Sequence, residues 1–353
     1  MRTMPMASAV NETIDPAMPY IPTFMGVTSA MIVLDVAGAV GNVILFALCL
    51  GDYRTPGTSE VTLFIMQAAA AWFVQSALVL APYDAIVLLS FRGVRIPVDE
   101  TMCSVLFTAT AFLYVLGSWT ETFLAINRVF AICAPNIYNR ISSRTVVIAM
   151  MLMAWLLSSA ELWLIVFKLA GEVHMIRDNR CTIVPKSFND AVAHIVTLYT
   201  PGILTGACCS LIMLKVIASK WRGRPATGVA AAGEAAVRRT HARRMQVTVM
   251  LLGSYAFVTV TALPYALVTY ILPRYTGPNP FVRRYVEYIF EIGWMVNPYN
   301  CILLNRGYMT TLKAHLRRLC FGNTVSALQL QPANRARRMT GQETWASSGS
   351  RNA

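Results

Sequence analysis

Seven long apolar runs set the strongest limit on how this chain can fold. Each run has about the 20 residues that a helix needs to cross the roughly 30 Å hydrocarbon core of a bilayer. Lipid cannot form hydrogen bonds with unpaired backbone N–H and C=O groups. The runs must therefore be helices, which pair these groups internally, rather than strands of an open sheet. We therefore expect an all-α membrane protein, a seven-transmembrane helix bundle. The predicted spans are Val27–Leu50, Val61–Leu89, Cys103–Cys133, Thr145–Leu169, Asp190–Ala218, Met245–Leu272 and Tyr285–Leu304.

The composition supports a membrane protein and sets its orientation. Hydrophobic residues make up 56% of the chain and charged residues 13%, about half the charged share of a soluble protein. The 30 Lys and Arg against 17 Asp and Glu could suggest nucleic-acid binding. Most of the basic residues instead flank the spans, where they hold loops on the cytoplasmic side. The prediction is a multi-pass plasma-membrane protein with an extracellular N-terminus, and no nucleic acid as partner.

The segments outside the spans divide the chain further. Residues 1–26 are expected to form an extracellular N-terminus, in which Asn11 opens a glycosylation sequon. Residues 27–305 form the transmembrane domain. Residues 306–321 have the pattern of an amphipathic helix on the inner membrane surface, in contact with lipid. Cys320 at the end of this helix is a candidate for palmitoylation, with an unmodified cysteine as the alternative. Residues 322–353 are polar and are expected to be a disordered cytoplasmic tail.

The sequence has no motif for catalysis, a cofactor or a metal ion. It lacks Gly-x-Ser-x-Gly, a P-loop and His-Glu-x-x-His, and its four histidines are scattered. Five of the eight cysteines stand at or within spans, where a small buried hydrophobe is the usual interpretation. Cys103 and Cys181 are the pair expected at the oxidising outer surface, so we predict a disulfide between them.

A series of residues at characteristic spacing resembles the rhodopsin-like (class A) G-protein-coupled receptors. The resemblance covers residues about 27 to 321 and implies an extracellular ligand and a heterotrimeric G protein as partners. The family's motifs are matched by Gly41-Asn42, Cys103, Arg128, Pro135, Trp155, Cys181, Pro201, Leu263-Pro264-Tyr265, Asn297-Pro298 and Tyr308. By resemblance, the residues for activation and G-protein contact are Asn127, Arg128, Pro135, Arg243, Arg244, Pro264, Asn297 and Pro298.

Several switch residues of the family are replaced in this sequence. The Asp-Arg-Tyr motif reads Asn127-Arg128-Val129, and Arg243 and Arg244 stand where an acid usually lies at the foot of the sixth helix. The acid of the family's sodium site is replaced by Trp72, which cannot coordinate a hard cation. The other replacements are Ala262 for tryptophan, and Cys209 and Cys301 for tyrosines.

Acidic residues in the outer half of the bundle suggest a positively charged ligand. Glu287 and Glu291 are four residues apart and share one face of the seventh helix. An unpaired carboxylate at that depth needs a cation, a proton or water, and Arg283 could supply a local partner for Glu287. We predict a ligand site that includes Glu291, Glu287, Asp84 and Thr110, for a peptide or a cationic small molecule. A lipid-like ligand, with Glu291 protonated, is the alternative.

Other functions remain as alternatives at this point. The replaced switches also fit a non-signalling receptor, such as a decoy or a dimer partner. A transporter or channel would show an internal repeat, matching broken helices or a line of ionisable groups across the bilayer, and the sequence has none of these. An opsin needs a lysine in the seventh span, and Tyr285–Leu304 contains none. Thr110 stands where amine receptors place an aspartate, which argues against a simple biogenic amine.

Overall fold

The fold is a helical bundle with one small hairpin. A computed structural model describes residues 21–54, 61–94, 99–169, 171–176, 180–184, 187–221, 231–268 and 280–321. Within them the helices are α1 (Ile21–Tyr53), α2 (Thr62–Phe91), α3 (Glu100–Cys133), α4 (Pro135–Ile141), α5 (Arg144–Val166), α6 (Phe188–Trp221), α7 (Ala231–Ala266), α8 (Pro280–Leu304) and α9 (Arg306–Phe321). The two strands are β1 (Glu172–Ile176) and β2 (Arg180–Val184).

Within the described residues, the helices that are long and apolar enough to cross a membrane are α1, α2, α3, α5, α6 and α7. Helix α8 is long enough as well but less apolar, because polar residues such as Glu287, Glu291 and Asn297 interrupt it. Together the seven long helices confirm the predicted seven-helix bundle.

Most helix boundaries differ from those of the predicted spans by a few residues, and α8 begins at Pro280 rather than at Tyr285. Helix α1 begins at Ile21, earlier than Val27. Helix α5 ends at Val166 rather than Leu169, because the chain turns there with Lys168 at a φ of 59°. Helix α7 begins at Ala231, well before the predicted Met245, while the predicted end of its span at Leu272 lies outside the described residues. Neither the short helix α4 nor the β hairpin was predicted from the apolar pattern.

Helix α3 is the centre of the bundle. It packs against α2, α5 and α6, while α1 packs against α2 and α8, and α8 packs most extensively against α7. Helices α6 and α7 contact each other over only a short stretch of the described residues. The seam between α6 and α7 is therefore loosely packed in this part of the chain.

A π-helical segment, Gln75–Leu80, interrupts α2 just before Pro82. Proline has no N–H and its ring collides with the carbonyl four residues earlier, so a regular α-helix cannot pass through it unchanged. A wider turn with one extra residue accommodates the ring and keeps the helix continuous. Ser76 stabilises the same region by donating from Oγ to the Trp72 carbonyl at 2.8 Å.

The hairpin is attached to the bundle at the start of α3. The predicted disulfide is present and joins Cys103 on α3 to Cys181 on β2. Cys181 also donates its backbone N–H to the Tyr83 hydroxyl of α2 at 2.7 Å. Asp99 caps the N-terminus of α3 by accepting the Met102 N–H at 2.7 Å. We call this end of the bundle the disulfide end.

Helix α9 belongs to a second compact unit, which begins at Arg306. The helix has the bounds expected from the spacing of its apolar residues. Its placement on a membrane surface stays a prediction, as does palmitoylation of Cys320, whose side chain is not described. Asn11 and residues 322–353 also lie outside the described residues.

Candidate functional site

The predicted G-protein-contacting arginine is buried far from the disulfide end. Arg128 lies near the end of α3, where its side chain is 3% exposed, so it does not extend to the interface like a lysine or arginine at a helix end. Asn127 beside it is fully buried, and neither its amide oxygen nor its amide nitrogen forms a hydrogen bond. Pro135 opens α4 directly after α3. Arg243 and Arg244 lie in α7, but their side chains are not described.

A polar network joins four helices in the middle of the bundle. The Glu121 carboxylate on α3 accepts hydrogen bonds at Oε1 from Trp72 Nε1 of α2, at 3.4 Å, and from Asn297 Nδ2 of α8, at 3.2 Å. Asn297 in turn accepts a hydrogen bond at Oδ1 from Ser254 of α7. The acid at this depth of the bundle is therefore Glu121 on α3. Helix α2 carries Trp72 at the position where the family has its acid.

The Trp72 indole fills the space beside this network. It stacks on Trp294 with the ring centroids 4.7 Å apart, and Tyr114 packs edge-on against both rings. The indole also lies against Gly117, where a Cβ would come within 2.5 Å of the ring. Glycine at position 117 is thus what makes room for tryptophan at position 72.

A cavity of about 230 Å³ opens between α3, α6, α7 and α8. Its walls are mostly apolar, and Glu121 is the acid among them. Ala262 belongs to the wall at the position where the family places a large tryptophan, so the small side chain contributes to the empty volume. The lining residues are Tyr114, Ser118, Glu121, Leu198, Tyr199, Gly202, Ile203, Thr205, Tyr255, Val258, Thr259, Ala262, Leu263 and Trp294.

The four residues predicted to bind the ligand do not line this cavity. Asp84 is buried in α2 toward the disulfide end, and Thr110 donates its hydroxyl to the Leu106 carbonyl at 2.9 Å. Glu287 and Glu291 are partly buried on α8. The side chain of Arg283, the alternative partner of Glu287, is not described.

A further acid, Asp35 of α1, is not among the candidate ligand-binding residues predicted from the sequence. It is fully buried, neither of its carboxylate oxygens forms a hydrogen bond, and it is close enough to Asp84 for the two groups to interact electrostatically. An acid within a span is the signal that could have identified it, because such residues are expensive in lipid and face the bundle interior.

Of the three prolines predicted to take part in activation, Pro135 opens α4 and the other two lie inside long helices. Pro264 is inside α7 and Pro298 inside α8. Pro298 and Tyr299 lie against Gly41 of α1, where a Cβ would come within 3.0 Å of Pro298 Cγ. Tyr299 stabilises the contact between α1 and α8 by donating its hydroxyl to the Ala37 carbonyl at 2.6 Å. Within the described residues, no group of three or more His, Cys, Asp or Glu could hold a metal ion.

These features define a multi-pass membrane protein built as a seven-helix bundle. The profile of the family described as 7 transmembrane receptor (rhodopsin family) matches residues 41–303. The chain therefore belongs to the rhodopsin family of seven-transmembrane receptors, which are receptors rather than enzymes.

A solved structure with the same fold is squid rhodopsin. It aligns with a TM-score of 0.72 and 13% sequence identity, over 88% of this chain and 84% of that chain. At this identity the similarity concerns the fold alone. A comparison with curated proteins found no match.

Proposed function

We propose that this protein is a G-protein-coupled receptor of the plasma membrane, with its N-terminus and disulfide end outside the cell. The distribution of basic residues supports this orientation. The observation that carries the proposal is the position of Arg128, buried near the inner end of α3 in a chain of the rhodopsin family. There it is available to meet a G protein when the helices separate. Pro135, Arg243 and Arg244 contribute to the same cytoplasmic face.

The proposed receptor has appreciable basal activity, because residue 127 carries no charge. In relatives with Asp-Arg-Tyr, the neighbouring carboxylate restrains the arginine in the inactive state. Asn127 is buried without any hydrogen bond, so it supplies neither a charge nor a polar contact. A charge-assisted restraint is therefore missing at this position.

Asn127→Asp is expected to lower basal signalling. An ionic restraint of about 1–3 kcal/mol shifts a two-state equilibrium by roughly 5- to 150-fold. The measurement is agonist-independent nucleotide exchange by purified G protein with the purified receptor in lipid nanodiscs. Asn127→Leu is the matched control, because it removes the amide and adds no charge, and it should leave basal exchange unchanged. Equal or higher exchange with Asn127→Asp would contradict the restraint.

We propose that the ligand carries a positive charge and binds among acids in the outer half of the bundle. Gly38 lies against Met295, and Gly41 against Pro298, so α1 and α8 run in the same direction side by side. Asp35 is one turn before Gly38, and Glu291 is one turn before Met295. The two acids therefore lie at the same depth on adjoining helices.

The acids of α1, α2 and α8 support the same ligand class. Asp35 interacts electrostatically with Asp84, so carboxylates from three helices are concentrated in one half of the bundle. A cationic group would offset the cost of burying these carboxylates, whereas an anionic group would add to it. A basic peptide or a cationic small molecule fits this arrangement better than the alternative, a lipid-like ligand with Glu291 protonated.

Glu291→Gln is expected to reduce agonist potency about tenfold or more, because losing a charged partner costs about 1.5–3 kcal/mol. Any agonist found by a ligand screen with a promiscuous G-protein readout can be used, at matched surface expression. Glu100→Gln is the control, because Glu100 is an exposed acid in the first turn of α3. Unchanged potency with Glu291→Gln would exclude charge pairing at this residue.

A non-signalling receptor, acting as a decoy or a dimer partner, is the second candidate. The unpartnered, uncharged Asn127 and the Cys209 and Cys301 replacements favour it, because they remove polar groups on which the family's switch depends. The nanodisc exchange assay separates the two functions. A receptor that binds ligand but never stimulates nucleotide exchange belongs to the second class.

A further inference from the structure

The central cavity opens sideways, toward the hydrocarbon of the membrane. Its lining includes Gly202 and Ile203 of α6 and Leu263 of α7. Ile203 is 68% exposed and Leu263 54% exposed, so these side chains face lipid while they border the cavity. The opening lies along the loosely packed seam between α6 and α7. A molecule dissolved in the membrane can therefore reach the cavity without passing the outer acids.

The inner wall of the cavity carries an acid with one free oxygen. Both hydrogen bonds to Glu121 converge on Oε1, from Trp72 and Asn297. Within the described residues Oε2 accepts no hydrogen bond, and Glu121 belongs to the cavity wall. A carboxylate beside an apolar space is costly unless a cation, a proton or a donor accompanies it.

The rest of the wall suits a compact apolar body with a positive end. Tyr114 and Trp294 present aromatic rings near Glu121, and such rings attract an ammonium group as well as an apolar surface. Drug-sized ligands occupy pockets of roughly 300–1,000 Å³, whereas this cavity has about 230 Å³. The occupant must therefore be smaller than a typical drug molecule.

We propose that this cavity is a second ligand site, which takes a compact lipophilic amine from the membrane and pairs its ammonium group with Glu121. The amine enters between α6 and α7, its apolar body fills the space left by Ala262, and its ammonium donates to Glu121 Oε2. The site is separate from the outer acids, and its occupancy does not depend on whether the receptor couples to a G protein.

The test is saturable binding of 1-aminoadamantane to the purified full-length receptor in nanodiscs, with empty nanodiscs subtracted for partitioning into lipid. Glu121→Gln should weaken binding about tenfold or more, because the charge is lost. Glutamine keeps an oxygen that can accept from Trp72 and Asn297, so the network can persist. The neutral 1-adamantanol should bind the unaltered receptor about tenfold or more weakly than the amine.

A second variant tests the entrance independently of the charge. A Cβ at Gly202 meets nothing within 4 Å, so Gly202→Leu can place its side chain in the mouth of the cavity without disturbing the packing. It should reduce binding of the amine while the unfolding temperature stays near that of the unaltered receptor. Glu100→Gln, at an exposed acid away from the cavity, should bind the amine normally.

Three outcomes would overturn the proposal. The first is no saturable binding above that of empty nanodiscs. The second is undiminished binding by both Glu121→Gln and Gly202→Leu. The third is binding that is lost with Glu291→Gln but kept with Glu121→Gln, which would assign the amine to the outer acids. Because the assay measures binding alone, a receptor that never signals could still confirm the site.

Discussion

The double variant Cys103→Ser, Cys181→Ser is expected to lose most of its surface expression. The disulfide joins the start of α3 to strand β2, so it holds the loop between α5 and α6 against the bundle. Removing a native disulfide from a small secreted domain costs about 2–5 kcal/mol, and a loss of this size is a large fraction of the stability of most domains. The measurement is surface expression together with the unfolding temperature of the purified receptor.

The structure offers controls of graded severity for this experiment. Cys133→Ser changes a free cysteine at the far end of α3 and should have little effect. Tyr83→Phe removes only the hydrogen bond from the Cys181 N–H and should have a small one. Cys181 that reacts readily with an alkylating agent in the intact, unreduced receptor would contradict the assignment.

Gly117→Ala is expected to destabilise the bundle by about 1–3 kcal/mol, as overpacking does in other cores. The added Cβ would lie 2.5 Å from the Trp72 ring, which is held by stacking on Trp294 and cannot move aside as a flexible chain could. The effect should appear as a lower unfolding temperature in detergent or nanodiscs.

Two further variants test whether the clash with Trp72 causes the destabilisation by Gly117→Ala. Gly26→Ala is the matched control, because a Cβ at Gly26 in α1 meets nothing within 4 Å. It should be neutral or stabilise the receptor slightly, since alanine favours a helix by about 0.5–1 kcal/mol relative to glycine. Adding Trp72→Phe to Gly117→Ala should recover part of the loss, because the smaller ring leaves room for the methyl group. An unchanged unfolding temperature with Gly117→Ala alone would show that the indole has space to shift.

The seven helices and the disulfide could be predicted because each depends on a property that the sequence displays directly. The length of an apolar run predicts a membrane-spanning helix. The position of Cys181 in a loop between two spans predicts that it lies on the outer side of the membrane, where disulfides form. The β hairpin could not be predicted in this way, because pairing between Glu172–Ile176 and Arg180–Val184 depends on register across a turn. Short strands of this kind carry no clear periodic signal.

The central cavity illustrates a second limit of sequence reasoning. Ala262 was recognised as a departure from the family, but one small residue does not reveal whether neighbours fill the space it leaves. That depends on Ser118 and Gly202, which belong to two other segments of the chain. Glu121 was likewise visible as an acid in a span, yet its pairing with Trp72 and Asn297 joins three helices that are distant in sequence.

The π-helical segment of α2 changes how this receptor can be compared with others. One extra residue in a turn rotates everything beyond it by roughly 100° relative to an uninterrupted α-helix. Residues after Leu80 therefore face a neighbour different from the one that simple counting from Trp72 would assign. Asp84 lies in that rotated part and interacts with Asp35 of α1. Ligand contacts can be transferred between α2 and the second helix of another receptor only where that helix contains the same additional residue.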